Sequence, residues 1–257
     1  MSDIVRKKVA ADNGWYTGDQ RAAQLGTPGA RWALKGRWNL FARVIDRWLA
    51  TGGAPVRRVR VLDAGCGDGI NMTVLRDLLS ARGIATEIVG SDYNRLRLAR
   101  ATADGRFPVI EADLRMLPFP DAAFDLVLCS HVLEHIREDV AAMGELARVV
   151  DPRGLVVVAV PNEGCATARL RNHVVQRSIL STTDHVQFYT AAPLVGRART
   201  AGLALLGAVE REGVFLPHFG VYTRLRETAI GRRLISFFVR AAPSQAAGLV
   251  AGFTRIR

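Results

Sequence analysis

Asp63, Gly65, Gly67 and Gly69 stand two residues apart in VLDAGCGDG, positions 61–69 of a 257-residue chain. A carboxylate followed by alternating glycines can hold a ligand on bare backbone, because no Cβ blocks the approach. Val61 and Leu62 suit a buried parallel strand that ends at Asp63. The spacing is G-x-G-x-G, whereas dinucleotide sites use G-x-G-x-x-G to rest a pyrophosphate on the next helix N-terminus. Asp68 would place negative charge near that helix end and oppose an anion. A zwitterionic amino-acid moiety, with an ammonium to satisfy, fits such a loop better; a glycine turn with no ligand is the alternative.

A second carboxylate, Asp92, closes the run EIVGSDYN (87–94) about one βαβ interval after the glycines. Its lone pairs suffice for both hydroxyls of a ribose, although an Asp here could also cap a helix over residues 95–103. Asp113 and Leu114 follow a third apolar run, 107–112. Ser130 and His131 end a fourth, within FDLVLCSHVLEHI (124–136). The same stretch contains H-x-x-E-H, formed by His131, Glu134 and His135, a spacing used by one class of zinc proteases. A metalloprotease needs a long helix carrying the motif and a third ligand on another element. Here the first His lies at a strand end, so the expectation is packing and pocket floor, with no metal.

The elements that must position these residues alternate. Strands are expected at 61–63, 87–92, 107–112, 124–129 and 154–160. Helices are expected at 72–82, 95–103, from Val132 onward, and at 140–150, where DPRG stops the chain. A helix over 192–201, a strand over 204–211 and a final strand over 248–257 complete the reading. Five β-α repeats predict a seven-stranded, Rossmann-like doubly wound α/β sheet with an antiparallel last strand, whose ligands bind outside the strand carboxyl ends. The chain divides into an N-terminal helical lid (1–55), a core (56–212) and a helical late insertion with the last strand (213–257), all in one domain. Residues 165–190 look too polar for core.

The motifs from VLDAGCGDG through Val160, roughly the central hundred residues, resemble those of the class I S-adenosylmethionine (SAM)-dependent methyltransferases of the small-molecule type. The resemblance implies SAM as cofactor, bound by Asp63, Gly65, Cys66, Gly67, Asp92, Tyr93, Asp113, Leu114 and Ser130, with Asp113 at the adenine amino group and Leu114 on the ring. It also implies that the N-terminal segment lids the cofactor, Trp15 and Tyr16 covering the methionine moiety unless they only anchor a helix. DHVQFYT (184–190) is similar to a family segment in which a histidine can face the pocket. His185 is accordingly the first candidate for a general base, with His131 and His218 as the other choices.

Composition narrows the partners less sharply. Hydrophobic residues make up 49% and charged residues 23% of the chain, an ordinary soluble balance. Cys66, Cys129 and Cys165 show no pairing pattern, which suits a reducing cytosol, and no run has signal-peptide or membrane-span length. A cytoplasmic location is expected. The net charge of +11 is uneven: residues 1–60 hold 12 basic and 4 acidic groups, 61–160 hold 10 and 15, and 161–257 hold 13 and 5. Basic flanks favour an anionic or carrier-linked acceptor, and the amphipathic stretch 215–243 suits an anionic membrane surface, hence peripheral contact at the inner face, or a lipidic acceptor. An arginine-rich proteome would give the same count, with 32 Arg to 3 Lys. RNA methylation would use such flanks too, but neither an Asp/Asn-Pro-Pro-aromatic motif nor a Pro-Cys nucleophile follows strand four, which argues against a nucleic-acid substrate. O-methylation of a glycan, lipid or natural product is the expected reaction; a non-catalytic SAM-binding scaffold is the other alternative.

Overall fold

The computed structural model of the chain describes residues 18–19, 24–52, 58–103, 105–178, 184–216 and 219–256. Pro28 opens the first long helix, α1 (Pro28–Ala50), and Thr27 caps it by accepting from the Ala30 amide. The core then alternates: β1 (Arg58–Ala64), α2 (Ile70–Ser80), β2 (Ala85–Asp92), α3 (Arg95–Ala101), β3 (Val109–Glu111), β4 (Phe124–Ser130), α4 (Asp139–Val149) and β5 (Val150–Pro161). After a short helix, α5 (Ala166–Leu170), come α6 (Ala191–Thr200), β6 (Leu203–Leu205), β7 (Glu210–Val214), α7 (Phe219–Glu227), α8 (Ala229–Ala241) and β8 (Ala246–Arg255).

The strands make one sheet in the order β3-β2-β1-β4-β5-β8-β6, with β7 also on β8. Pairs from β3 to β5 are parallel, and β8 runs antiparallel to β5, β6 and β7. Alternation along the strands feeds two cores. Val61, Leu126, Leu128, Leu155 and Val157 face α1 and α2, where Phe41, Val44, Ile45 and Trp48 are wholly buried. Leu62, Val127, Cys129, Val156 and Val158 face α4 and α6 on the other side. Strands buried on both faces explain why β4 reads as an unbroken apolar run.

Three expectations are corrected. The sheet has eight strands, because the segment expected as one strand over 204–211 breaks at Gly207 (φ 75°). Residues 206–209 there oppose only 251–252 of β8, a bulge that splits β6 from β7. The helix expected from Val132 is a single 3₁₀ turn, Leu133–His135, and α4 begins only at Asp139. Residues 165–190 contribute to the interior: Cys165, Ala168, Arg171, Asn172 and Tyr189 are buried. Their polarity is absorbed by partners, since Tyr189 and Arg197 both donate to Asp139, and Arg171 donates to Asn172.

Candidate functional site

Sheet order reverses direction between β1 and β4, and the crevice outside their carboxyl ends holds a cleft of about 1390 Å³. The glycine loop forms its floor. Gly65, Gly67 and Gly69 all have positive φ (82°, 53° and 80°), which L side chains avoid. A Cβ on Gly65 would lie 2.2 Å from Val132 Cγ2, so only glycine lets the loop pass the end of β4. The Gly65 and Cys66 amides both donate to the Ser91 carbonyl, tying the loop to β2.

Asp92 holds the loop from the neighbouring strand end. Its Oδ2 accepts from the Gly67 amide at 2.9 Å and its Oδ1 from the Asn94 amide at 2.8 Å. Each oxygen keeps lone-pair capacity for a ligand hydroxyl. Burial raises its carboxyl above the usual range, against the backbone donors and Arg97. The helix cap expected of Asp92 is supplied by Asn94, whose side chain accepts from the Leu96 and Arg97 amides. Asp63 is fully buried, and neither of its oxygens has a hydrogen-bond partner among the described residues. Burial, and then the Asp92 charge, push its carboxyl up to about 8. Asp68 is also buried, with Arg97 and Arg100 each 3.3 Å away, so it does not present bare charge to a ligand.

Gly65, Cys66, Gly67, Asp92, Tyr93, Asp113, Leu114, Ser130, His131 and His185 all line this one cleft, so ten residues singled out from sequence converge. Asp63 lies behind the loop, outside the lining. Asp113 is clamped by Arg115, with Nη2 to Oδ2 at 2.7 Å, and this pairing lowers its carboxyl. Burial pushes the Cys66 thiol up, which suits packing over nucleophilic work. Trp15, Tyr16 and His218 lie outside the described residues.

The histidines form a second cluster in the same cleft. His131 adopts φ 57° at the end of β4, an uncommon conformation for a non-glycine residue, with its amide bound to the Ala159 carbonyl. Its Nδ1 lies 3.1 Å from Glu134 Oε1, off hydrogen-bond alignment. Burial, and then Arg37, lower the imidazole's proton affinity. Burial would raise Glu134, yet His131, His135 and His185 together bring its carboxyl below the usual value. The loop after α5 returns across this turn, the Val186 and Gln187 amides donating to the Glu134 carbonyl. That return places His185 beside His135, ring centroids 4.9 Å apart. His185 Nδ1 is 2.6 Å from Glu163 Oε2; burial opposes protonation, but Glu163 raises the imidazole overall. Glu163 and Asp184 were missed as site residues from sequence, because strand five and a long loop separate them from the H-x-x-E-H turn.

Comparison with known proteins agrees with this geometry. A family described as a methyltransferase domain matches residues 62–158. The chain is 37% identical to the demethylmenaquinone methyltransferase of Thermus thermophilus over 48% of this chain and 53% of that one. It is 28% identical to the ubiquinone biosynthesis O-methyltransferase of Thiobacillus denitrificans over 61% of this chain and 69% of that protein. A Mycolicibacterium smegmatis protein whose name assigns it SAM-dependent methyl transfer is 33% identical, the match spanning 40% of this chain and only 38% of that protein. Among solved structures, a Pyrococcus horikoshii protein shares the fold over 95% of this chain and 99% of its own, at TM-score 0.61 and 16% identity. A SAM-dependent methyltransferase of Mesorhizobium loti does so over 80% and 95%, at TM-score 0.53 and 19% identity. Residues 62–158 thus match a methyltransferase domain, within a fold that SAM-dependent methyltransferases share.

Proposed function

We propose that the chain transfers a methyl group from SAM to an oxygen of a small or carrier-linked metabolite. The observation that carries this reading is the joint of Asp92 and the Gly65–Gly69 loop on the floor of one cleft, which fits the cofactor in two respects. The loop is a cradle that a Cβ would fill, and the orphaned Asp63 carboxylate behind it supplies the charge an ammonium would neutralise. Asp92 would take the ribose hydroxyls, Asp113 and Leu114 the adenine side. When bound, the cofactor supplies an electrophilic methyl on a sulfonium, which the protein needs only to align with a nucleophile in a desolvated site.

Removal of a hydroxyl proton falls to the histidine and carboxylate group that lines the same cleft. The name of the Thiobacillus denitrificans relative supports an oxygen acceptor in quinone-like chemistry; that of the Thermus thermophilus relative leaves another atom open to the test. Arg137 and Arg226 on the cleft wall suit an anionic group on the acceptor.

Calorimetric titration with S-adenosylhomocysteine tests the cofactor. Micromolar binding is expected, weakened at least tenfold by Asp92→Ala and unaffected by NADH as competitor. Binding of NADH in its place, or none of either, sinks the reading. Transfer of labelled methyl from SAM to a panel of hydroxylated, phosphorylated and lipid-linked acceptors then identifies the substrate.

A further inference from the structure

One oxygen of Glu134 and one ring nitrogen each from His135 and His185 lie within 4.8 Å of one another. The Glu134 side chain is 1% exposed, and neither oxygen has a hydrogen-bond partner among the described residues. A carboxylate withdrawn from water without donors is costly unless a cation completes its surroundings. Each imidazole lies against a carboxylate of its own. His185 Nδ1 is hydrogen-bonded to Glu163 Oε2 at 2.6 Å, whereas His135 Nδ1 lies 2.7 Å from Asp184 Oδ1 but off hydrogen-bond alignment. Metal-binding histidines are held as His185 is, a carboxylate on one nitrogen fixing the tautomer and leaving the other for the ion. The third ligand on a separate element, which the H-x-x-E-H spacing lacks by itself, is His185.

We propose that Glu134, His135 and His185 bind a divalent transition-metal ion in the cleft, which holds and activates the acceptor hydroxyl; this rests on the methyl-transfer reading for its chemistry. Two imidazoles and one carboxylate favour Zn²⁺, Co²⁺ or Fe²⁺ over Mg²⁺, and three protein ligands leave a position for a substrate oxygen. A hydroxyl on such an ion releases its proton to solvent near neutral pH. The oxygen then forms a bond to the methyl carbon while the carbon–sulfur bond breaks. Its electron pair stays on sulfur as the neutral thioether, and no oxidant is consumed. A His185 that ligates metal is not also a general base, so this assignment replaces the simple base role.

The test starts from full-length protein stripped with a chelator and titrated with Co²⁺, followed by visible absorption, and with Zn²⁺ by calorimetry. One equivalent is expected to bind with micromolar or tighter affinity. Glu134→Gln and His185→Asn should each weaken binding at least a hundredfold, while S-adenosylhomocysteine binding, measured on the same samples, stays within about threefold and reports the fold. Failure to bind one equivalent, or metal binding indifferent to both substitutions, overturns the site. Metal binding without S-adenosylhomocysteine binding would keep the site and remove the methyl-transfer reading instead. Should Glu134→Gln not fold, His185→Asn alone decides the matter, because His185 sits on a loop and not in the sheet.

Discussion

At the scale of single residues, Asp63 is the clearest conflict between stability and function. Its carboxyl is held at about 8 by burial and the Asp92 charge, against 3.8 for an ordinary Asp. The folded protein therefore binds this proton more tightly than the unfolded chain does. The resulting stability is fully present below pH 3.8 and is lost as pH rises toward 8, at about 1.4 kcal/mol per pH unit. Urea unfolding of the cofactor-free protein should show a midpoint that falls from pH 5 to pH 8. Asp63→Asn, which mimics the protonated form, should flatten that profile and exceed the parent in stability at pH 8. An unchanged slope in the variant would show that other groups carry it. Asp92, with two backbone donors, shows the opposite arrangement: the same residue type on the neighbouring strand, one built to hold the loop and one left for a ligand.

At the scale of elements, α8 is the part of the fold least occupied by the fold itself. Ile230, Leu234, Phe237 and Phe238 recur at i, i+4, i+7 and i+8 and are 72%, 44%, 62% and 48% exposed. The opposite face, with Gly231 and Ile235, is buried, and Gly231 sits so close to the Leu225 carbonyl that a Cβ would overlap it. Arg233 and Arg240 flank the apolar stripe, exposed to solvent. No described helix is long and apolar enough to cross a membrane; an amphipathic helix with an apolar stripe flanked by arginines suits an anionic surface. Vesicles rich in phosphatidylglycerol should co-sediment the protein and phosphatidylcholine vesicles should not, with Phe237→Ser plus Phe238→Ser weakening binding at least tenfold. Equal binding to both vesicle types, or none, would leave the stripe without this role. The amphipathic pattern of this helix was legible because its period survives in sequence, as the strands were from their apolar runs. The break at Gly207 was not: a glycine in a strand-like run is compatible with either a strand or a bulge, and only the register against β8 decides. The Glu134, His135 and His185 convergence was half legible, since spacing along one turn can be read but the return of a loop some fifty residues later depends on tertiary contacts.

At the scale of the whole molecule, the two basic flanks are tied to each other by a few ion pairs, and they meet over the cleft. Arg37 and Arg47 of α1 pair with Glu212 and Glu210 of β7, and Glu227 of α7 accepts from the Thr27 hydroxyl and the Gly29 amide at the start of α1. The site is thus roofed by segments about 200 residues apart in sequence, and its integrity depends on a close approach at Gly29. A Cβ there would stand 2.5 Å from Glu227 Oε1 and 2.8 Å from the Arg226 backbone. Gly36, two turns on in the same helix, has nothing within 4 Å of a Cβ. Gly36→Ala should therefore gain about 1 kcal/mol from helix propensity and raise the thermal midpoint, leaving S-adenosylhomocysteine affinity unchanged. Gly29→Ala gains the same propensity but must push α7 away, at a cost of about 1–3 kcal/mol for overpacking. Its midpoint should fall, affinity should drop several-fold, and proteolysis between α7 and α8 should accelerate. If the two variants behaved alike, the contact between α1 and α7 would be incidental to the cleft; opposite shifts from one chemical change in one helix would show that the roof is a structural requirement of the site.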